Sequence, residues 1–215
     1  MILTAKGLYK SYQESGDAKK VDVLKDFQME LDKGQTLAIM GPSGCGKSTL
    51  ISILGGLDRP DQGRVEIAGQ NIYELSTNDL TDFRAKNIGI VFQQFHLLPH
   101  LKAVDNVRLP LDLQGIDQAK ERALQALDSV GLADRANHFP HQMSRGECQR
   151  TAIARVLVMQ PQLILADEPT GSLDRKTADE VMDLFFNKLK ESHISLVLVT
   201  HDEEVARLCE RRLDL

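Results

Sequence analysis

A glycine-rich segment at residues 41–48, with the sequence G-P-S-G-C-G-K-S, constrains the fold of this chain more than any other feature. It fits the phosphate-loop pattern G-x-x-x-x-G-K-[ST] at every position. Residues 36–40 before it form an apolar run that predicts a buried strand, and residues 47–57 after it predict a helix. Because a loop of this kind presents backbone N–H groups to anions, the sequence predicts an α/β fold that binds a nucleoside triphosphate.

The residue types of this loop suit a polyphosphate. Glycines let the backbone approach an anion that a Cβ would block. Lys47 is expected to reach the β- and γ-phosphates of ATP, and the Ser48 hydroxyl is expected to bind Mg²⁺. Cys45 is either a small residue that fits a tight loop, which we favour, or a redox-sensitive thiol at a helix N-terminus. The predicted nucleotide-binding residues of this region are Gly41, Pro42, Ser43, Gly44, Cys45, Gly46, Lys47, Ser48 and Thr49.

Two acidic residues, Asp167 and Glu168, directly follow the apolar run at residues 163–166. This pattern predicts a buried strand that ends at the carboxyl edge of a parallel sheet, where α/β proteins bind their ligands. Asp167 is expected to bind Mg²⁺, directly or through water. Glu168 is expected to take a proton from, or polarise, the water that attacks the γ-phosphate. A solvated acidic turn is the alternative, and the phosphate-loop pattern upstream argues against it.

Three further segments follow in a fixed order. Residues 144–150, S-R-G-E-C-Q-R, resemble the L-S-G-G-Q signature of ATP-binding cassette (ABC) ATPases. Residues 168–174, E-P-T-G-S-L-D, and residues 200–202, T-H-D, match the loop after the acid pair and the switch histidine of the same family. The resemblance extends from Tyr12 to about Arg211. It implies a P-loop NTPase core with an N-terminal antiparallel β-subdomain and an inserted α-helical lobe, which is the ABC ATPase fold.

The resemblance also implies how ATP and Mg²⁺ are bound. Two subunits would pack head to tail as a homodimer, and each site would use the signature of the opposite subunit. Tyr12 would stack on adenine, Gln93 would sense Mg²⁺ and the attacking water, and His201 would contact the γ-phosphate. The predicted catalytic residues are therefore Glu168, His201 and Gln93, the metal ligands are Ser48, Gln93 and Asp167, and the signature and dimer contacts are Ser144, Gly146, Glu147 and Asp174.

Without the resemblance, other interpretations of three of these residues would be preferred. Tyr12 would be a packing residue of a first strand, since most tyrosines at such positions are. Gln93 would be an ordinary surface residue. His201 follows an apolar strand and would cap the next helix.

The signature departs from the family pattern at three positions. Met143 replaces leucine, Arg145 replaces the first glycine, and Glu147 replaces glutamine. If the position of Arg145 requires a positive φ, its side chain is strained. If it does not, the arginine adds positive charge near the phosphate bound by the partner. We expect the site to remain active with an altered rate or affinity.

Residues 54–58, 92–99, 135–140 and 170–174 resemble a narrower group, the ATPases of lipoprotein-releasing systems and macrolide exporters. This implies an integral membrane permease as partner and a peripheral location on the cytoplasmic face of a bacterial inner membrane. Cell-division and peptide-antibiotic-resistance ATPases share much of the same sequence. A catalytically weak, soluble ATP-dependent switch is the alternative function. Chromosome-maintenance ATPases are disfavoured because the segment between Gln93 and Met143 is short and lacks sustained heptads.

Composition limits the remaining possibilities. The chain has 215 residues and a net charge of −5, which argues against nucleic acid as a partner. It contains no apolar run long enough to span a bilayer, and its three separated cysteines favour reduced thiols and the cytoplasm. We expect one ABC ATPase domain over 1–215, with residues 1–94 and 143–215 in the core and residues 95–142 in the helical lobe.

Three segments allow local predictions. Residues 1–31 alternate between apolar and polar types, which predicts antiparallel strands joined by a polar turn at residues 14–20. The apolar segment at residues 95–99 directly follows Gln93, and we favour a groove for a partner's helix over local burial. At the end of the chain, the final strand of the family is expected to be missing or shortened.

Overall fold

The computed structural model describes residues 1–13, 20–42 and 44–215, and these residues form two sheets and the helices around them. One sheet has four strands in the order β2-β1-β4-β5, and the other has five in the order β6-β7-β8-β3-β9. The strands are β1 (Leu3–Tyr12), β2 (Val21–Leu31), β3 (Thr36–Met40), β4 (Gln62–Ile67), β5 (Gln70–Asn71), β6 (Ile88–Phe92), β7 (Leu163–Asp167), β8 (Ser195–Thr200) and β9 (Arg211–Asp214). The helices are α1 (Lys47–Leu54), α2 (Thr77–Asn87), α3 (Ala103–Leu113), α4 (Ala119–Ser129), α5 (Arg145–Leu157), α6 (Arg175–Ser192) and α7 (Glu203–Ala206).

The four-stranded sheet is antiparallel, as the alternating sequence of residues 1–31 predicts. β1 pairs with β2 from Leu3 opposite Leu31 to Tyr12 opposite Val21. The other edge of β1 pairs with β4, so β1 lies inside the sheet and β2 lies at an edge. Of the predicted turn at residues 14–20, residues 14–19 lie outside the described part of the chain.

The five-stranded sheet is parallel, and its strands β3 and β8 are buried along their whole length. Such continuous apolar strands are typical of parallel sheets that have helices on both faces. Leu50 and Ile53 of α1 share one buried cluster with Leu3 of β1, Val65 of β4 and Leu165 of β7. α1 therefore connects the two sheets through a common core.

A second group of helices packs beside the parallel sheet. α3, α4 and α5 share a buried cluster that includes Val107, Leu127 and Ala154. On its opposite face, α5 contributes Ile153 to a cluster with Ile164 of β7 and residues of α6. α5 thus connects the α3–α4 pair to the sheet.

The final strand is present as the four residues of β9, so the expectation that it is missing is wrong, whereas the alternative that it is shortened stays a prediction. β9 pairs in parallel with β3, from Arg211 opposite Leu37 to Asp214 opposite Met40. Its polar sequence is explained by its place at the edge of the sheet, where charged side chains prevent pairing with other chains. Among the helices of the described residues, none combines the length and the hydropathy that a membrane span requires.

Candidate active site

The glycine-rich loop connects β3 to α1, as the sequence predicts. Gly44 and Gly46 have φ values of +82° and +104°, a left-handed conformation that residues with a Cβ rarely adopt. A Cβ on Gly46 would also lie 2.5 Å from Cγ1 of Val23, so this position excludes a side chain on two grounds. Ser43, a predicted binding residue, lies outside the described residues. The loop leads directly into the first turn of α1, whose N-terminus favours an anion.

Lys47 lies beneath this loop, and its side chain is only 6% exposed. Its Nζ donates hydrogen bonds to the carbonyl oxygens of Gly41 at 2.9 Å and Pro42 at 3.0 Å. The same atom is 3.9 Å from Oε1 of Glu168. A buried positive charge is thus fixed at the base of the loop, beside a carboxylate and within reach of any phosphate on the loop.

Asp167 and Ser48 place two oxygen groups next to each other. Asp167 ends β7 between Phe92 of β6 and Val199 of β8, and the Ser48 side chain lies close enough to act against the rise in the pKa of its carboxyl group. Burial raises the pKa of Asp167, and the neighbouring charge of Glu168 adds to the increase. Without a nearby cation, the negative charge of this carboxylate is unfavourable because the group is buried. Together with the adjacent hydroxyl oxygen, it offers the oxygen ligands that a hard cation such as Mg²⁺ prefers.

Glu168 follows in an unusual backbone conformation. Its φ of +44° is in the left-handed region, which costs a non-glycine residue about 1 kcal/mol or more and is concentrated at functional sites. The backbone N–H of Glu168 donates to the carbonyl oxygen of Val199 at 2.9 Å. Its Oε1 lies 3.0 Å from Nδ1 of His201, whose side chain is 65% exposed. The carboxylate is therefore oriented between the amine of Lys47 and an imidazole that is open to solvent.

These groups surround one cleft of about 370 Å³ at the carboxyl edge of the parallel sheet. The cleft combines five residues of the loop and of the first turn of α1 with the acid pair and Gln93 from the end of β6. Gly41, Pro42 and Cys45, which are also predicted binding residues, are not among its lining residues. His201 is not part of the cleft lining, and it joins the site through Glu168. The lining residues are Tyr12, Val23, Gly44, Gly46, Lys47, Ser48, Thr49, Gln93, Asp167 and Glu168.

Tyr12 lies at the rim of the cleft and is 44% exposed. Its hydroxyl donates to Oδ2 of Asp58 at 2.7 Å. The Nζ of Lys10 donates to Oδ1 of Asp58 at 2.9 Å and lies 5.0 Å from the centre of the tyrosine ring. The Tyr12 hydroxyl is thus bonded to the carboxylate of the Lys10–Asp58 ion pair, which fixes the position of the ring. Lys10 and Asp58 are site residues that the sequence alone did not indicate, although residues 54–58 carry part of the family resemblance.

The signature segment begins α5 with a capping box. Ser144 Oγ accepts the backbone N–H of Glu147 at 3.2 Å, and Glu147 Oε2 accepts the backbone N–H of Ser144 at 2.8 Å. The Nε of Arg135 donates to the other carboxylate oxygen of Glu147 at 2.8 Å. The Ser144 N–H and Arg135 lower the pKa of Glu147, which outweighs the opposite effect of its partial burial. Glu147 therefore stabilises the start of α5.

Four predicted site residues lie elsewhere in the subunit. Asp174 caps α6 by accepting the backbone N–H of Thr177 at 3.1 Å. Ser144, Gly146 and Glu147 lie at the start of α5. Among the described residues, none of these four lines the cleft. The structure thus brings together the loop, Tyr12, Gln93 and the acid pair, and it leaves the signature apart from them.

Arg145 has an unstrained helical backbone. It is the first residue of α5 and does not have a positive φ, so an arginine is not strained here. Its Nη1 donates to the carbonyl oxygen of Ser172 at 3.0 Å. Gly146 differs, because a Cβ there would lie 2.4 Å from Cγ2 of Thr177 on α6. Close packing against α6 thus favours glycine at the second signature position, and backbone conformation does not require glycine at the first.

A second, more apolar cleft of about 590 Å³ lies between α2, β6, α3 and α5. Ile90, Leu109, Leu113, Val156 and Met159 contribute its apolar surface. The residues at 95–99 that we expected to form a groove are not part of this lining. They lie beside it, because Arg155, which does line the cleft, donates to the carbonyl oxygens of Phe95 at 2.9 Å and His96 at 2.7 Å.

Comparison with known proteins gives consistent matches. A model of the ABC transporter family matches residues 24–171. The lipoprotein-releasing system ATP-binding protein LolD of Legionella pneumophila (strain Lens) is 44% identical over 217 residues, covering 100% of this chain and 95% of LolD. The macrolide export ATP-binding/permease protein MacB of Bdellovibrio bacteriovorus is 44% identical over 214 residues, covering 100% of this chain but 32% of MacB.

A solved structure agrees with these sequence matches. The dimeric ATP-binding cassette MJ0796, in a post-hydrolysis state bound to ADP and Pi, superposes with a TM-score of 0.90 and 40% identity. The match covers 100% of this chain and 94% of the MJ0796 chain. The predicted fold, an α/β core with an antiparallel sheet and added helices, is confirmed. The chain belongs to the ABC transporter family and is an ATPase of the ATP-binding cassette type.

Proposed function

We propose that this protein is the ATP-hydrolysing subunit of a transporter of the lipoprotein-release or macrolide-exporter type. It would pair head to tail with a second copy and drive a separate integral membrane permease from the cytoplasmic face of a bacterial inner membrane. The observation that carries the proposal is the placement of Glu168 between Lys47 and His201 at the edge of the cleft. We further propose a single domain over 1–215, with residues 95–142 as its helical lobe.

Nucleotide binding is assigned to the loop and to Tyr12. The phosphates of ATP would lie on the backbone N–H groups of residues 41–48, with Lys47 donating to the β- and γ-phosphates. The Lys47 amine donates hydrogen bonds to the carbonyl oxygens of Gly41 and Pro42, so its side chain points toward the loop. The adenine would stack on the exposed ring of Tyr12. Thr49, which also lines the cleft, would lie near the α-phosphate side of the loop.

Mg²⁺ would be held by oxygen atoms of Ser48, Asp167 and Gln93 together with the phosphates. The contact between Ser48 and Asp167 and the position of Gln93 in the cleft support this ligand set. When bound, the ion neutralises charge that develops on the phosphate oxygens.

Glu168 would act as the base for hydrolysis. Its carboxylate accepts a proton from water as the water oxygen bonds to the γ-phosphorus and the bond from that phosphorus to the ADP oxygen breaks. Lys47 stabilises the negative charge on the phosphates. His201 contacts the same carboxylate and would contact the γ-phosphate from the solvent side.

The signature residues would serve the partner's nucleotide. Ser144 and the backbone N–H of Gly146 lie at the N-terminus of α5, where donors and the helix dipole favour an anion. Because they do not line the cleft of their own subunit, a second copy in a two-fold, head-to-tail arrangement would complete the site. Glu147 would fix the geometry of these donors, and Asp174 would contact the other subunit.

The permease would dock in the apolar cleft beside α3. Leu113 at its rim is 75% exposed, and the cleft is large enough for the side chains of one helix. Arg155 connects the cleft to the backbone that follows Gln93, so a docked helix would be sensed near the γ-phosphate. Leu113→Asp should abolish stimulation of hydrolysis by the permease without changing nucleotide binding, whereas Leu124→Asp, an exposed leucine on α4, serves as the matched control.

The first test compares hydrolysis by the wild type and Glu168→Gln, with Glu180→Gln on the exposed face of α6 as control. Loss of a general base should lower the rate by about 10²-fold or more while ATP binding is retained. Equal rates would refute the role of Glu168. The same variant, loaded with ATP, should capture a few-span permease with a large extracytoplasmic domain from detergent-solubilised membranes of the source cells. Capture of no membrane protein would overturn the transporter assignment.

A further inference from the structure

Arg145 is the main departure of this chain from the signature of its family, and its side chain has a defined partner. The Nη1 atom donates to the carbonyl oxygen of Ser172 at 3.0 Å. Ser172 lies in the loop between Glu168 and Asp174, which follows the acid pair. A glycine at this position would lack the contact, so the arginine adds a direct connection between the start of α5 and that loop.

The same loop also contacts Gln93. The Ser172 hydroxyl donates to the carbonyl oxygen of Gln93 at 3.4 Å. A Cβ on Gly171 would lie 2.7 Å from Nε2 of Gln93, so the glutamine side chain packs directly on this glycine. Because Gln93 lines the cleft, a continuous path of contacts extends from the nucleotide site through Gly171 and Ser172 to Arg145.

The packing of α5 on α6 supports transmission along this path. Gly146 lies so close to Thr177 that a Cβ would force the threonine side chain to move. Thr177 in turn donates its backbone N–H to Asp174, the last residue of the loop. Since closely packed elements move together, a displacement of this loop would carry the start of α5 with it.

α5 also contains a polar group that its present packing leaves unpaired. Gln149, one turn after Arg145, is fully buried, and its Nε2 and Oε1 have no hydrogen-bond partner among the described residues. An unpaired buried amide is unfavourable, so a shifted arrangement of α5 that supplies a partner would gain stability. Gln149 is therefore a second side chain of α5, besides Arg145, whose surroundings would change if the helix moved.

We infer that Arg145 is a positioning residue that couples the two nucleotide sites of the pair. This inference rests on the proposed function, in which Gln93 serves the nucleotide of its own subunit and the start of α5 serves that of the partner. Loss of the γ-phosphate from one site shifts Gln93 and the loop at residues 168–174. Arg145 passes this shift to Ser144 and Gly146, and so to the opposite site.

The test measures ATP hydrolysis against ATP concentration for the wild type, Arg145→Ala, Arg145→Lys and Arg150→Ala. Arg150 is the matched control, because it lies on the same helix and donates to a backbone carbonyl, that of Val130, away from the loop. Arg145→Ala should lower the Hill coefficient to about 1, the value for independent sites. Arg145→Lys retains one donor and should restore part of the cooperativity, whereas Arg150→Ala should match the wild type.

A second measurement separates this inference from the proposed function. Pairing is followed by size-exclusion chromatography with light scattering in the Glu168→Gln background, as a function of ATP. Adding Arg145→Ala should raise the ATP concentration needed for pairing by about 3- to 10-fold, with ADP binding to the single subunit unchanged. If the Glu168→Gln variant stays monomeric in ATP, the proposed paired site is refuted, and so is this inference. If the Glu168→Gln variant pairs and Arg145→Ala matches Arg150→Ala in both assays, only the coupling role is refuted.

Discussion

Asp58 connects the antiparallel sheet to the cleft, and its replacement by asparagine tests how the adenine side of the site is built. Its carboxylate accepts hydrogen bonds from Lys10 Nζ at 2.9 Å, the Tyr12 hydroxyl at 2.7 Å and the Arg59 N–H at 2.7 Å. The Lys10 side chain is only 10% exposed, and its other partner is the carbonyl oxygen of Arg59 at 2.7 Å. Asp58→Asn would leave this buried ammonium group without a counter-charge.

The expected loss of stability follows from this burial. Removing one partner of a fully buried ion pair costs about 3–5 kcal/mol. Asp58 is 35% exposed and Lys10 keeps the Arg59 carbonyl, so we expect the lower cost of a lost charged hydrogen bond, about 1–3 kcal/mol. In a chain of this size each kcal/mol shifts the melting temperature by about 2–4 °C, so Asp58→Asn should melt about 2–12 °C below the wild type.

Nucleotide binding should weaken through Tyr12. Once its hydroxyl loses the carboxylate, the ring is no longer fixed for stacking, and a hydrogen bond of about 0.5–1.5 kcal/mol corresponds to about 2- to 12-fold in affinity. ATP and ADP should be affected equally, because both carry the adenine. Tripolyphosphate, which has no base, should bind with unchanged affinity. Tyr12→Phe should weaken nucleotide binding similarly but keep most of the stability, since the Lys10–Asp58 pair remains.

Two further variants determine whether the reasoning is correct. Lys10→Met combined with Asp58→Asn removes the buried charge, and the double variant should melt above Asp58→Asn alone. Asp61→Asn is the control, because this nearby carboxylate accepts from Ser11 at the surface and not from Lys10. A wild-type melting temperature for Asp58→Asn, or an equal loss of tripolyphosphate and ATP binding, would refute the arrangement.

Packing of α5 on α6, the hydroxyl of Tyr73 and the charge of Asp58 each give one further prediction. Gly146→Ala should destabilise the fold by about 1–3 kcal/mol through contact with Thr177, and Thr177→Ser in the same chain should recover most of that loss in thermal melts. Tyr73→Phe should lower stability by about 1–2 kcal/mol in urea titrations, since its part-buried hydroxyl lies 2.5 Å from the carbonyl oxygen of Ile53 and 2.6 Å from that of Asp58 and donates to them. Burial acts to raise the pKa of Asp58, but hydrogen bonds from Lys10 and Tyr12 outweigh it, and the pKa is lowered in the folded state. Because the pKa of Asp58 is lower in the folded state, its carboxylate contributes its full stabilisation above the unfolded pKa of 3.8 and loses it as the pH falls through the folded pKa. The difference in unfolding free energy between the wild type and Asp58→Asn should therefore be largest at pH 7 and should shrink in acid. A difference that stays constant down to pH 2 would contradict this linkage.

The parts of the site that the sequence predicts are those encoded by short segments. The glycine-rich loop lies between a strand and a helix because residues 36–48 contain the whole pattern. Asp167 and Glu168 lie at the carboxyl edge of the sheet because a buried strand directly precedes them. In both cases the motif and the element that positions it are adjacent in the chain, so no long-range contact is needed to place them.

The elements that the sequence analysis missed have weak apolar patterns. Of the eleven residues of α2, all of them described, only Leu80 is buried, so the helical period is absent from its sequence. The pair Ser76 and Asp79, which caps α2, is a usable signal, since the Ser76 hydroxyl accepts the N–H of Asp79 at 3.2 Å. β9 was missed for a related reason, because an edge strand with two arginines and an aspartate does not alternate like an interior strand.

The support of Tyr12 could not be predicted from local sequence. Lys10 and Asp58 are 48 residues apart, and β2, β3 and α1 lie between them before the chain returns to the end of β1. A lysine on a strand and an aspartate after a helix have no special meaning until the two sheets are packed together. Contacts of this kind depend on tertiary structure, which periodicity does not reveal.

The two glycine positions of the signature differ in whether the structure favours glycine there. A family pattern gives both positions the same residue type and so suggests one requirement for both. Here the first position has a helical backbone and accepts Arg145, whereas a Cβ on Gly146 would force the Thr177 side chain to move. The substitution at the first position therefore costs no backbone strain and gains a contact with Ser172. A departure from the pattern at a position without a steric requirement is free to acquire a new role, and it does not by itself indicate a weakened enzyme.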